Sequence, residues 1–407
     1  ALGLNTTSSN NAAFGYGTLN VNTGASNTGL GTQALTSNTT ANNNTAVGYQ
    51  AGYANTTGYN NSAVGTYSLL SNTTGYHNTA LGYYSLLTNS TGLVNTAVGV
   101  AALQTNSTGS NNVAVGADAL ISSTTASNNT AVGYQAMYDN TTGARNSAYG
   151  YGSLANNTTA GNNNAFGYLS LYTNTTGTQN VAMGTEALFS NDTASQNTAV
   201  GYQAGYSNTT GASNAFMGWR SGYSNTTGEL NVAIGQDALR SNQTSSRNVA
   251  IGLNALYSLN PGAVDAENAA VGLNSGFFLT TGTQNTFLGN YAGNAATTGT
   301  YNTFIGRSSG NAITTGSKNT ILGSYTGNQG GLDIRTSSNS IVLSDGDGSP
   351  RAVCHATYGS WVFGGSTYQA PNDTQYSEFQ APSSSIQLGL VRKSTSAGMG
   401  YIGADSG

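Results

Sequence analysis

Every 17 residues the chain repeats a five-residue signature: asparagine, a small or polar residue, a small apolar residue, a bulky apolar residue, glycine. The signature begins at Asn27, Asn44, Asn61, Asn78, Asn95, Asn112, Asn129, Asn146, Asn163, Asn180, Asn197, Asn214, Asn231 and Asn248 without a slip. A copy at Asn11 stands one residue short of that register, and later copies begin at Asn268, Asn285, Asn302 and Asn319. A degenerate copy begins at Asn339, with Ser344 in place of the closing glycine. A fixed period this short means one small unit stacked many times, each unit covering its neighbours. The repeat overrides the two or three globular domains that 407 residues would otherwise suggest.

Charge is scarce. Asp, Glu, Lys and Arg make up 6% of the chain, against about 25% in ordinary soluble domains. Low charge with 56 glycines could describe disorder, but 25 tyrosines and an unvarying apolar phase argue for a packed chain. No Lys or Arg precedes Arg145 and no Asp or Glu precedes Asp118; the formal net charge is −4. With no basic patch to displace counterions from phosphates, nucleic acid is not an expected partner. No apolar run is long enough for a transmembrane helix, so membrane insertion is not expected. The opening residues lack the charged and apolar regions of a signal peptide, so none is expected here. Cys354 is the single cysteine, and no intrachain disulfide can form.

Each position of the unit has a physical reading. The third and fourth positions, as in Ala46-Val47, Ala63-Val64, Ala80-Leu81, Ala97-Val98 and Ala114-Val115, read as a short strand with alternating faces. The bulky member is expected to point into the coil. The row Ala46, Ala63, Ala80, Ala97 and Ala114 is then expected on a flat outer stripe, as the contact surface for another chain. The glycines Gly48, Gly65, Gly82, Gly99 and Gly116 mark a corner that needs positive φ or close backbone approach. A small residue followed by Leu, Met or Gly, as in Ser68-Leu69 and Ala119-Leu120, reads as a second strand filling the core. A turn such as Asn55-Thr56-Thr57-Gly58 closes the unit through side-chain-to-backbone bonding and tolerance of left-handed φ. The invariant Asn44, Asn61, Asn78, Asn95 and Asn112 predict an amide ladder, each side chain bonding the copies above and below.

The regular pattern changes in three places. Gly252 and Gly272 are 20 residues apart, with Pro261, Asp265 and Glu267 between them, which predicts a longer surface loop. Near the end the third position becomes large, at Phe287, Phe304 and Ile321, which predicts a changed packing partner. The expected division is a repeat shaft over 1–328 and a C-terminal β-rich region over 329–407. Strands in that region are expected at Ile341-Val342-Leu343, Ser360 to Phe363 and Ile386 to Val391.

The signature Asn-x-Ala-Val/Ile-Gly, followed by x-x-Ala/Ser, resembles the head repeats of trimeric autotransporter adhesins over roughly Asn11 to Gly323. That resemblance implies a left-handed parallel β-roll with three chains around a fibre axis. The stretch Ser337 to Gly348, and Gly400-Tyr401-Ile402-Gly403-Ala404-Asp405-Ser406, resemble junctions in bacteriophage tail fibres. No membrane-anchor β-barrel is expected after the repeats. The expectation is an all-β, parallel β-solenoid of 17-residue coils, a homotrimer, acting as a non-enzymatic structural or adhesive fibre. Its expected place is a virion tail fibre engaged in host attachment, its partners copies of itself and a host-surface glycan or protein receptor. The alternatives are a bacterial cell-surface trimeric adhesin or extracellular filament, and an ice-binding solenoid. The last is suggested by Thr28, Thr45, Thr79, Thr96 and Thr130 and interrupted by Ser62, Val113 and Ser147. A polysaccharide-degrading β-helix would need a carboxylate cluster, and the acidic residues are scattered.

Chemistry-bearing residues read mostly as structure. His77 falls in a turn, and Cys354-His355 would face opposite sides of a strand; neither has an evident acid or orienting group, so no catalytic residue is assigned. Asp345-Gly346-Asp347-Gly348 carries two carboxylates, fewer than a calcium site wants, and reads as a turn, so no metal or cofactor is expected. Sequons at Asn38, Asn55, Asn72, Asn89, Asn106, Asn140, Asn157, Asn174, Asn191, Asn208, Asn225 and Asn242 share one phase. They read either as turn chemistry or as a glycan acceptor array. Tyrosines fall in two rows, Tyr49, Tyr83, Tyr134, Tyr168 and Tyr202, and Tyr53, Tyr138, Tyr172, Tyr206 and Tyr223. Chain packing, self-stacking and sugar binding all fit such rows.

Overall fold

The computed structural model describes Gly3 and residues 8–354, 361–363 and 378–379. It is all-β, a parallel β-solenoid in which each repeat is one coil. Each coil contributes one three-residue strand, from β1 (Ala12–Phe14), β2 (Thr28–Leu30) and β3 (Thr45–Val47) through to β19 (Thr320–Leu322). Successive strands pair in parallel and in register, so Ala46 sits beside Ala63, and Ala63 beside Ala80. Thr45 N–H donates to the Asn61 carbonyl at 2.9 Å, and Gly65 N–H to the Val47 carbonyl at 2.8 Å. At roughly 4.8 Å per coil, the stack is a shaft on the order of 90 Å long.

The strand faces are the reverse of the sequence expectation. Ala46, Ala80, Ala97 and Ala114 are fully buried and Ala63 nearly so, all inside the coil. Their bulky neighbours point outward: Val47, Val64, Val98 and Val115 are half-buried, and Leu81 is exposed. The alanine row is therefore core, and no side chain of it lies on an outer stripe. The reason is thickness. The opposite wall delivers Leu69, Leu86, Leu103 and Leu120 into the same interior, all buried, and a coil this thin accepts one large residue per level.

That opposite wall is not a second strand. Between the glycine corner and the polar turn the backbone carries left-handed residues two positions apart, such as Tyr67 (φ 59°) and Leu69 (φ 52°). Its carbonyls and amides still pair between coils: Leu69 N–H donates to the Ser85 carbonyl at 2.9 Å and Ser71 N–H to the Leu87 carbonyl at 3.0 Å. The segment thus keeps the stacking bonds of a sheet while curling in a way that extended φ forbids.

The large third-position residues are matched by glycine in the opposite wall. Phe216 packs between Gly205 and Gly222, Phe287 between Gly276 and Gly293, and Phe304 against Gly310. A Cβ on any of these glycines would run into the phenyl ring. The changed packing partner expected at Phe287 and Phe304 is this exchange of a leucine for a phenylalanine on the facing side.

The long unit forms the expected loop. Asp265 bridges back to Ser246 in parallel, and Arg247 pairs with Asp265 at 2.8 Å and Glu267 at 3.7 Å. At the far end β20 (Asn328–Gln329) and β21 (Leu332–Asp333) form a small antiparallel hairpin. The stack then resumes, because β22 (Ile341–Ser344) pairs in parallel with β19. There Ser340, not Asn339, takes the place of the repeating asparagine, its N–H donating to Asn319 Oδ1 at 2.9 Å. β23 (Pro350–Cys354) and β24 (Trp361–Phe363) continue antiparallel, and β25 (Glu378–Phe379) pairs in parallel with β24. The strands expected at Ile341–Leu343 and up to Phe363 are present; Ile386 to Val391 lie outside the described residues. No helix of the described residues is long and apolar enough to cross a membrane.

Candidate functional surfaces

Two asparagine ladders run along the shaft, the first from Asn11 to Asn319 and the second from Asn22 to Asn242. In the first, Asn44 Oδ1 accepts from Asn61 N–H at 2.9 Å, Asn61 Oδ1 from Asn78 N–H at 2.9 Å, and Asn78 Oδ1 from Asn95 N–H at 3.0 Å. Asn95 Oδ1 accepts from Asn112 N–H at 3.0 Å. The Nδ2 groups donate to corner carbonyls, as Asn44 does to Gly58 at 2.9 Å. The expected ladder of side chains bonding the copies above and below is instead a chain in which each Oδ1 accepts from the backbone amide of the next copy.

The amide-to-amide ladder belongs to the other asparagine. Asn55 Nδ2 donates to Asn38 Oδ1 at 2.8 Å, Asn72 to Asn55 at 2.7 Å, and Asn89 to Asn72 at 2.9 Å. These are the sequon asparagines, and from Asn38 to Asn242 all of them are buried. A buried, doubly bonded amide is closed to a glycosyl donor in the folded shaft, so the acceptor-array reading gives way to the structural one. One rung is wrong: Ser123 takes the asparagine's place, and Ser123 Oγ and Asn106 Oδ1 are both buried without a partner.

The glycine corners behave as the sequence requires. Gly48, Gly65, Gly82, Gly99 and Gly116 have φ between 132° and 145°, and each faces the carbonyl of the next corner so closely that a Cβ would collide with it. Both reasons offered for glycine hold at once.

The chemistry-bearing residues are taken up locally. His77 packs edge-on against Tyr59 and Tyr76, with centroids 5.5 and 5.2 Å away. Asp345 accepts from Arg351 Nε at 2.8 Å and from the amides of Ser349 and Asp347 at 2.9 and 3.1 Å. Those contacts hold its carboxyl below the ordinary value, the Arg351 bond first; it is the anchor of a turn. Cys354 is half-buried in β23, and His355 lies outside the described residues. Among the described residues no three His, Cys, Asp or Glu side chains gather as metal ligands.

The tyrosine rows stack within the chain. Tyr134, Tyr151 and Tyr168 lie face to face with centroids 5.4 and 5.3 Å apart. In the parallel row, Tyr172, Phe189, Tyr206 and Tyr223 stack at 5.5, 5.2 and 5.3 Å. Arg220 lies over Trp219 and Tyr223, its Cζ 4.4 and 5.5 Å from the ring centres.

The face that sequence reasoning missed is the outside of the sheet. From β1 to β19 no strand residue is charged, and the outward fourth position is apolar in every one. Phe14, Leu30, Leu81, Tyr149, Phe166, Met183, Met217, Ile234, Leu288, Ile305 and Leu322 are all exposed. The signal was present in the alternation of the signature but assigned to the wrong side. No protein-family model matches the sequence, and no curated protein matches it.

Proposed function

We propose that this chain is a non-enzymatic structural and adhesive fibre protein, a homotrimeric shaft carried on a virion as a tail fibre and reaching toward a host surface. The observation that carries the proposal is the uncharged outer face of the sheet, a row of bulky apolar residues such as Val47, Val64 and Leu81 beside a row such as Thr45, Ser62 and Thr79. It runs unbroken along the whole stack, where isolated soluble proteins expose only patches of a few hundred Å². Such a face is stable in water when other copies of the same chain cover it, and closed symmetry lets them do so without open-ended growth. Three copies is the number that the resemblance to trimeric adhesin heads implies. The rest of the molecule fits a rod: backbone bonds saturated from coil to coil and ladders that lock each coil to the next.

The proposal is tested by charging the face without touching the core. Val98→Lys with Ile234→Lys places two cations on outward positions of separate coils. Sedimentation velocity is expected to show the double variant as single chains with an unchanged circular dichroism spectrum, while the wild type sediments as a larger assembly. A double variant that assembles as the wild type does would refute a role for this face. Ala97→Arg is not a usable probe, because Ala97 is fully buried inside its coil.

A further inference from the structure

The aromatic column containing Tyr134, Tyr151 and Tyr168 has an open rung directly above Tyr168. It resumes two coils above Tyr168 with Tyr202 and Trp219, which stack 6.4 Å apart. Between the two runs stands Thr185, exposed and carrying no ring of its own. Tyr168 and Tyr202 are two coil rises apart, about 10 Å. That is twice the spacing of rings stacked in the same column, so the interval has the thickness of one further ring. Tyr168 is 49% exposed and Tyr202 42%.

Thr32, between Tyr16 and Tyr49, is exposed in the same way, but Gln33 stands there in place of the carboxylate of Glu186. The other single interruptions are closed. Thr66, between Tyr49 and Tyr83, is half-buried beside Tyr67, which packs edge-on to Tyr49 at 5.3 Å. In the neighbouring column Ala155 replaces a ring between Tyr138 and Tyr172, and it is buried. Where Arg240 replaces a ring, its guanidinium fills the rung, 5.9 Å from the Tyr223 ring and 5.5 Å from that of Tyr257. A planar group from outside the column can thus occupy a rung of this kind.

The residue beside the open rung is Glu186. Its carboxylate is engaged at Oε2 alone, accepting from Gln203 Nε2 at 2.7 Å. The Thr185 hydroxyl adds a second group that can donate or accept. We propose that this rung binds a neutral pyranose ring of a glycan, held between the faces of Tyr168 and Tyr202, with its hydroxyls donating to Glu186 and bonding Thr185. Sugars offer apolar C–H faces to aromatic rings and hydroxyls at their edges, the combination this rung presents. An aromatic side chain of a protein partner would stack as well but brings at most one donor, where a sugar edge brings several hydroxyls for Glu186 and Thr185. An acidic sugar would be repelled by the carboxylate. The proposal deepens the adhesive reading and rests on it for its biological setting.

The test is calorimetric titration of the assembled wild-type protein with neutral glucose-, galactose- and mannose-based oligosaccharides, a sialylated oligosaccharide and a tryptophan-bearing peptide. At least one neutral oligosaccharide is expected to bind. Thr185→Tyr should complete the stack and lower that affinity at least tenfold, with circular dichroism and melting unchanged. Tyr202→Ala should do the same, and Tyr134→Ala, outside the rung, should bind as the wild type does. Absence of neutral-sugar binding by the wild type, undiminished binding by Thr185→Tyr, or preference for the peptide or the sialylated sugar would each overturn the proposal. The oligomeric mass of the same samples keeps the two readings apart. A trimer that binds no sugar removes the rung and leaves the fibre; a single chain that binds sugar through Thr185 removes the fibre and leaves the rung.

Discussion

At the scale of single residues the shaft is a set of positions repeated until any error shows. Gly116 has φ +136° and faces the Gly133 carbonyl. Gly116→Val therefore combines a forbidden backbone region with a steric collision. We expect a loss of about 3 kcal/mol, read as a lowered midpoint in urea; an unchanged midpoint would show that the corner does not need glycine. Ser123 is the opposite case. An asparagine there would donate to the orphaned Asn106 Oδ1 and accept from Asn140 Nδ2, which otherwise bonds only Gly143. Ser123→Asn is expected to stabilise the fold by about 1–3 kcal/mol, the worth of satisfying a buried polar group; a lower melting temperature would contradict the ladder. The glycine and first-asparagine roles were legible because neither residue varies between Asn11 and Gly323. The second ladder was masked because Asn-Thr-Thr-Gly also spells an ordinary turn.

At the scale of the element, the coil is a volume shared between two walls. Phe216 fills the space that Leu69 or Leu86 fills in other coils, and Gly205 and Gly222 make room for it. Phe216→Ala is expected to cost about 3–5 kcal/mol through the cavity left behind. Gly222→Leu alone should also destabilise, by collision with the ring. Combined, the two changes recreate the Ala and Leu arrangement of the regular coils, and the backbone accepts leucine there because Leu69 already sits at φ 52°. The double variant should be more stable than either single one, and a strictly additive loss in urea unfolding would contradict the shared volume. The parallel stack, its period and the buried leucines were legible in the sequence. The inward alanines were not, because alternation shows that two faces exist without saying which is inside. The second wall was misread as a strand because left-handed φ at Tyr67 and Leu69 has no sequence signature of its own.

At the scale of the whole molecule, two surfaces remain once the core and the ladders are accounted for. One is the uncharged outer face of the sheet, running from Phe14 to Leu343 and exposed or half-buried at its bulky positions. The other is the aromatic edge with its open rung at Thr185. The first decides whether the shaft exists alone or as a bundle, and the fibre reading depends on it. The most direct measurement is the mass of the wild-type protein in native buffer by light scattering coupled to size exclusion, over a tenfold range of concentration. The expected result is a constant mass of three chains, each of 41.2 kDa. A stable mass of one chain at every concentration would contradict it.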